Sequence, residues 1–246
     1  MTFVLIAVTM ALVVRSLWIR RDTWRSRWEI GASLSVALQG CALLLMSPWA
    51  ANILGQHLHR ALGRWNVQHL LGHICLIVAV TALIRHVLIR FTNQPQVTTL
   101  FSRQVLRPVR LGVPLLAVLF VAADERDHPD LLTAHVGNAW LSAYWLLLGA
   151  LLLYLLNYAA RVLLIIRGDA RSRPVVNVYL LALGSAVVAG VLRLGSVWAG
   201  IDITLLVWLF TCLSLGGFAC GSAQSWQAKI NWFVAASHAP SRSLRV

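Results

Sequence analysis

The chain has 246 residues, of which 59% are hydrophobic and 12% charged, with a mean hydropathy of +0.75. A soluble domain carries about 25% charged residues, so these values exclude an ordinary soluble globular protein. At roughly 20 residues per bilayer-crossing helix the chain has room for about six to eight spans. The formal net charge of +13 would point to nucleic acid in a soluble protein; in a membrane protein it records orientation, because short cytoplasmic loops collect Arg and Lys.

The first apolar run, residues 2–19, is followed at once by Arg20, Arg21, Arg25 and Arg27. A secretory signal peptide places its positive charges before the apolar stretch, so the reversed order predicts an uncleaved first span with its N-terminus outside. Further runs cover 29–51, 67–89, 105–123, 139–166, 175–198 and 201–222. None alternates with the period of a barrel strand. The prediction is an all-α polytopic bundle of seven transmembrane helices over residues 1–226, N-terminus out and C-terminus in. A short basic cytoplasmic tail follows over 227–246.

Span four is the least marked, with Pro108 and Pro114 and an uncharged stretch of only 111–123. Without it, Arg161, Arg167, Arg171 and Arg173 would fall on the outer side, against the positive-inside rule. With it, every basic residue other than Arg60, Arg64, Arg126 and Arg193 falls inside. Trp18, Trp49, Trp65, Trp140, Trp198 and Trp226 fall near span ends, as in an aromatic belt. The four cysteines lie in apolar runs without pairing spacing and read as small buried hydrophobes.

The residues with chemical potential cluster toward the outer side. His69 and His73, at i and i+4, share one helix face, and the longest outer loop supplies Asp127 and His128 among Asp124, Glu125 and Asp130. Imidazole and carboxylate suit zinc and related ions, so His69, His73, His128 and Asp127 are candidate ligands of an outward-facing metal site. The plainer reading makes them polar residues at a water interface. A haem between His73 and His135 is a third reading, with His86 lacking an opposite partner.

Arg193 lies inside span six, where an ionisable residue is costly and functional by default; Asp202, across a short loop, is its expected partner in a lock between spans six and seven. Ala182, Ala186 and Gly190, with Gly217 and Gly221, form small-residue ladders that permit close helix packing. There is no HExxH, no Walker A, no G-x-S-x-G and no lysine in span seven, which removes the corresponding hydrolase, nucleotide and retinal chemistries.

Three segments carry a resemblance: Arg20-Arg21-Asp22 after the first span, residues 66–73 opening span three, and Phe120 with the acidic loop 124–130. In these the chain resembles a family of actinobacterial and actinophage seven-span membrane proteins with a sensor-like N-terminal region and no established activity. The resemblance implies the same bundle, here without the cytoplasmic C-terminal region that members often carry, and no catalytic residues.

The expected function is therefore a non-enzymatic multi-pass protein of the plasma (inner) membrane with a sensor, regulatory or phage-associated role. Its arginine-rich inner loops would contact anionic lipid, at about 1 kcal/mol per basic residue, or a cytoplasmic protein partner, and no nucleic acid. The alternative is a small-molecule or ion transporter or channel with a route through residues such as Gln39, His73, Asn157 and Arg193, and the third reading is a haem-binding membrane oxidoreductase.

Overall fold

The computed structural model describes residues 1–26, 28–91, 94–123, 139–199 and 201–238, and within them every side chain except those of 90–91, 94–95, 197–199 and 233–238. Among the described residues there is no strand. Six helices among the described residues are long and apolar enough to cross a membrane, or seven spans if one bent pair is counted as a single crossing. The molecule is a multi-pass helical membrane protein.

The first helix, α1 (Thr2–Ile19), ends at Arg20, whose N–H bonds the Ser16 carbonyl at 3.1 Å. A 3₁₀ turn over Arg21–Arg25 leads to α2 (Ile30–Leu45). The apolar run expected as one span over 29–51 breaks here. Ser47 is extended and its hydroxyl accepts from the Ala50 N–H at 3.2 Å, while Pro48 opens α3 (Pro48–Leu62). An N-cap serine and a proline in the first turn start a new helix, and α3 leaves α2 at 78°. Gly63, at φ +69°, ends α3 in the left-handed conformation that suits glycine.

Helix α4 (Val67–Phe91) is followed by α5 (Gln94–Phe101), a π-helical turn over Ser102–Leu106, and α6 (Arg107–Ala123). Together the last three form an apolar span from Gln96 to Ala123, longer than the sequence implied. Pro108 has no N–H to offer the carbonyl of Gln104 four residues earlier. The Tyr154 hydroxyl, from α7 (Ala139–Ile166), donates to that carbonyl instead, at 2.8 Å.

The chain closes with α8 (Arg173–Ala199) and α9 (Thr204–His238). At 1.5 Å per residue the 35 residues of α9 extend about 50 Å, well beyond a hydrocarbon core of about 30 Å. The helix therefore runs on through the first part of the segment read from sequence as a tail.

Helices α2, α4, α7, α8 and α9 pack each on the next, and α9 returns to α2, closing a five-helix ring. Helix α1 lies against α2 and α9, and α6 against α7 and α4. The small-residue ladders work within the chain: a Cβ at Gly217 would stand 2.9 Å from Ala182 Cβ, and one at Gly221 would meet the Tyr179 ring at 3.3 Å. Trp18, Trp49 and Trp140 point outward. Of the cysteines expected in the interior, Cys212 is buried but Cys41 is exposed, because its side of α2 faces away from the ring.

Candidate functional site

The ring encloses a cavity of about 170 Å³. Its wall is mostly apolar and aromatic, with a few polar side chains that converge from different helices: Gln39 from α2, His73 from α4, Trp145 from α7, Arg193 from α8, and Thr211 and Ser214 from α9. That composition, an apolar cleft with a small number of placed polar groups between helices, is the usual form of a small-molecule site. Leu153 and Gly190 also line it and are exposed on the outer surface of the bundle, so the cavity reaches that surface between α7 and α8.

His73 stands near the start of α4 and is buried. Its Nδ1 lies 2.7 Å from the Tyr144 hydroxyl, and its ring meets Trp145 edge-on at 5.4 Å between centroids. The Arg193 guanidinium lies 4.6 Å from the centre of the same indole ring, within cation–π range, and its Nη1 is 3.4 Å from Ser196 Oγ. One indole thus holds a histidine and an arginine from two other helices.

Gln39 is anchored from below. Ser35 Oγ donates to the Ala79 carbonyl at 2.8 Å, which commits its proton. Only the amide nitrogen of Gln39 can therefore bond Ser35 Oγ, at 3.3 Å, and Oε1 must be the other terminal atom. Gln39 Oε1 and Trp145 Nε1 are buried and have no hydrogen-bond partner. Buried polar atoms of native structures are nearly always paired, and an exception calls for an explanation.

A second polar centre lies at the opposite end of the ring. Arg20 is fully buried. Its Nε donates to Ser33 Oγ (3.1 Å), Nη1 to the Ser222 carbonyl (3.0 Å), and Nη2 to Glu29 Oε2 (2.9 Å). Lys229 Nζ reaches the other Glu29 oxygen at 2.9 Å. Arg20 and Lys229 also lie 5.7 and 5.9 Å from the Trp226 ring centre. This cluster joins α1, α2 and α9.

Among the candidate residues, His69 and His73 do share one face of α4, but both are buried inside the bundle rather than set at water. His69 Nδ1 is 3.3 Å from Gln68 Nε2. Asp127 and His128 lie outside the described residues, as do Asp124, Glu125, Asp130 and His135. Among the described residues no group of three His, Cys, Asp or Glu side chains is placed to hold a metal ion. Arg193 turns toward Trp145, while Asp202 accepts the Thr204 N–H at 3.1 Å at the start of α9. Three of the four residues on the expected transport route, Gln39, His73 and Arg193, meet in the cavity; Asn157 is exposed.

Sequence reasoning missed Tyr144 and Trp145, and the Arg20–Glu29–Lys229 cluster. For the cluster a signal was present, since Glu29 and Asp202 are the only acidic residues within the expected spans. Comparison with protein-family models, with curated proteins and with solved structures finds no match.

Proposed function

We propose that the protein is a plasma-membrane sensor, with its N-terminus out and its C-terminus in, that takes a small molecule into the ring cavity and reports occupancy at the inner face. One observation carries this reading: α9 forms a wall of the cavity through Thr211, Ser214 and Phe218, and joins the ionic cluster through Ser222 about one turn later and Lys229 about three turns later. A helix that touches both centres moves both, because packed interfaces shift as units rather than deforming continuously. The role is non-enzymatic, and the arginine-rich inner loops hold anionic lipid or a cytoplasmic partner.

The test replaces occupancy with a side chain. Ala189 lines the cavity and is buried, so Ala189→Phe fills it in part. Hydrogen exchange over residues 222–232 should change by several-fold relative to the parent protein in the same nanodiscs, with helicity retained. Unchanged exchange in a folded variant would sink the sensor reading. The transporter reading draws on the same three cavity residues, but the Arg20 cluster lies across the far end of the ring. Measurable flux of a small solute through reconstituted protein would favour it.

A further inference from the structure

We infer that the ligand of this cavity is a lipid-soluble molecule with a ring-sized head that bears a hydroxyl group, a phenol or a related ring alcohol, entering from the bilayer. The inference rests on the proposed sensor function and names the ligand class of the same site.

Three observations converge. The first is size: about 170 Å³ is close to the roughly 150 Å³ of an apolar protein cavity that admits benzene. The second is the wall: Trp145, Trp208 and Phe218 line the space with His73, and aromatic faces and edges favour a flat ring among them.

The third is polarity. Gln39 is 2% exposed and its Oε1 lacks a donor; Trp145 is 5% exposed and its Nε1–H lacks an acceptor. The Ser35–Ala79 bond fixes which end of the Gln39 amide is unsatisfied. A hydroxyl is the smallest group that both donates and accepts. An ether or a quinone carbonyl accepts only and leaves Gln39 unsatisfied; a hydrocarbon leaves both. Access is lateral, since the cavity reaches the outer surface beside Leu153 and Gly190, and a Cβ built on Gly190 meets nothing within 4 Å. A tail on the ring can therefore remain in lipid while the head occupies the cavity.

The test uses p-cresol, 4-methylanisole and p-xylene, three probes of similar shape that carry a donor and acceptor, an acceptor alone, and neither. Binding is measured on the full chain in nanodiscs and corrected with empty nanodiscs. One net hydrogen bond corresponds to about a fivefold change in affinity. We expect p-cresol to bind about fivefold more tightly than 4-methylanisole, and the ether more tightly than p-xylene. Gln39→Leu should abolish the first preference, and Trp145→Phe the second. Ala189→Phe should weaken all three while the chain stays folded.

Equal binding of the three probes, no binding above empty nanodiscs, or selectivity that survives both polar substitutions overturns the assignment. The outcome for the sensor reading is separate: selective binding of p-cresol with no change in hydrogen exchange over residues 222–232 rejects the sensor and leaves the ligand class standing.

Discussion

The two buried polar centres of this bundle are built on opposite terms. At the Arg20 end, a guanidinium and a carboxylate are both removed from solvent, and their bonds are distributed over Ser33, Ser222 and Lys229. At the cavity end, two residues that line the space, Gln39 and Trp145, each hold a buried polar atom without a partner. An ion pair bonded through every nitrogen and oxygen of its two charged groups fixes helices, even with Ser222 Oγ and Trp226 Nε1 buried beside it without partners; polar atoms left unpaired in residues that wall a cavity cost stability until something fills it. The difference separates a lock from a site without recourse to a motif, and it assigns opposite signs to substitutions at the two ends.

The largest effect is expected at the lock. Removing one member of a buried ion pair leaves an uncompensated charge, at about 3–5 kcal/mol, so Arg20→Met should lower thermal stability in detergent steeply. Lys229 is 41% exposed, and an exposed pair contributes about 0–1 kcal/mol, so Lys229→Met should have a much smaller effect. Equal losses for the two variants would mean that the cluster is solvated in practice, and the contrast between the two ends would collapse.

At the cavity the sign reverses. Gln39→Leu removes an acceptor whose partner is missing, and with it the desolvation cost of about 1–3 kcal/mol for a buried unsatisfied group, while the Ser35–Gln39 bond of 3.3 Å is lost. The net expectation is a stability unchanged or raised by up to about 1 kcal/mol, seen as unfolding at the same or a higher temperature, together with loss of hydroxyl selectivity. A marked loss of stability in the empty protein would show that Gln39 serves the fold.

How much of this could be read in the chain follows the range of each interaction. Long apolar runs gave away the spans, because a helix in lipid must be apolar over its whole length. The α2–α3 break had a local signal in Ser47-Pro48, but the apolar residues on both sides masked it. The continuation of α9 past Ser222 was hidden for the opposite reason: Gln224, Gln227, Lys229 and Asn231 look like a soluble tail, and nothing requires a helix leaving the bilayer to stay apolar. In the site, His69 and His73 were visible as an i, i+4 pair. Gln39 was visible too, as a polar residue within a span. Tyr144 and Trp145 were not, since their roles exist only where helices from distant parts of the sequence converge.

The smallest predicted effect tests whether these contrasts depend on burial. Asp169, in the turn between α7 and α8, accepts from Ser172 Oγ at 2.8 Å and from the Arg171 N–H at 3.1 Å. These bonds, that of the Ser172 hydroxyl first, hold its carboxyl below the usual aspartate range. A depressed carboxylate stabilises the fold above its unfolded value, about 3.9, and that contribution is lost as pH falls through the folded value. Asp169 is fully exposed, so solvent screening keeps the contribution small. Asp169→Asn should therefore unfold slightly earlier than the parent at pH 7, and the two should converge as the pH is taken well below 3.9. If Asp169→Asn destabilised the protein at pH 7 as much as Arg20→Met does, exposure would not be what ranks these polar groups, and the division between lock and site would need another cause.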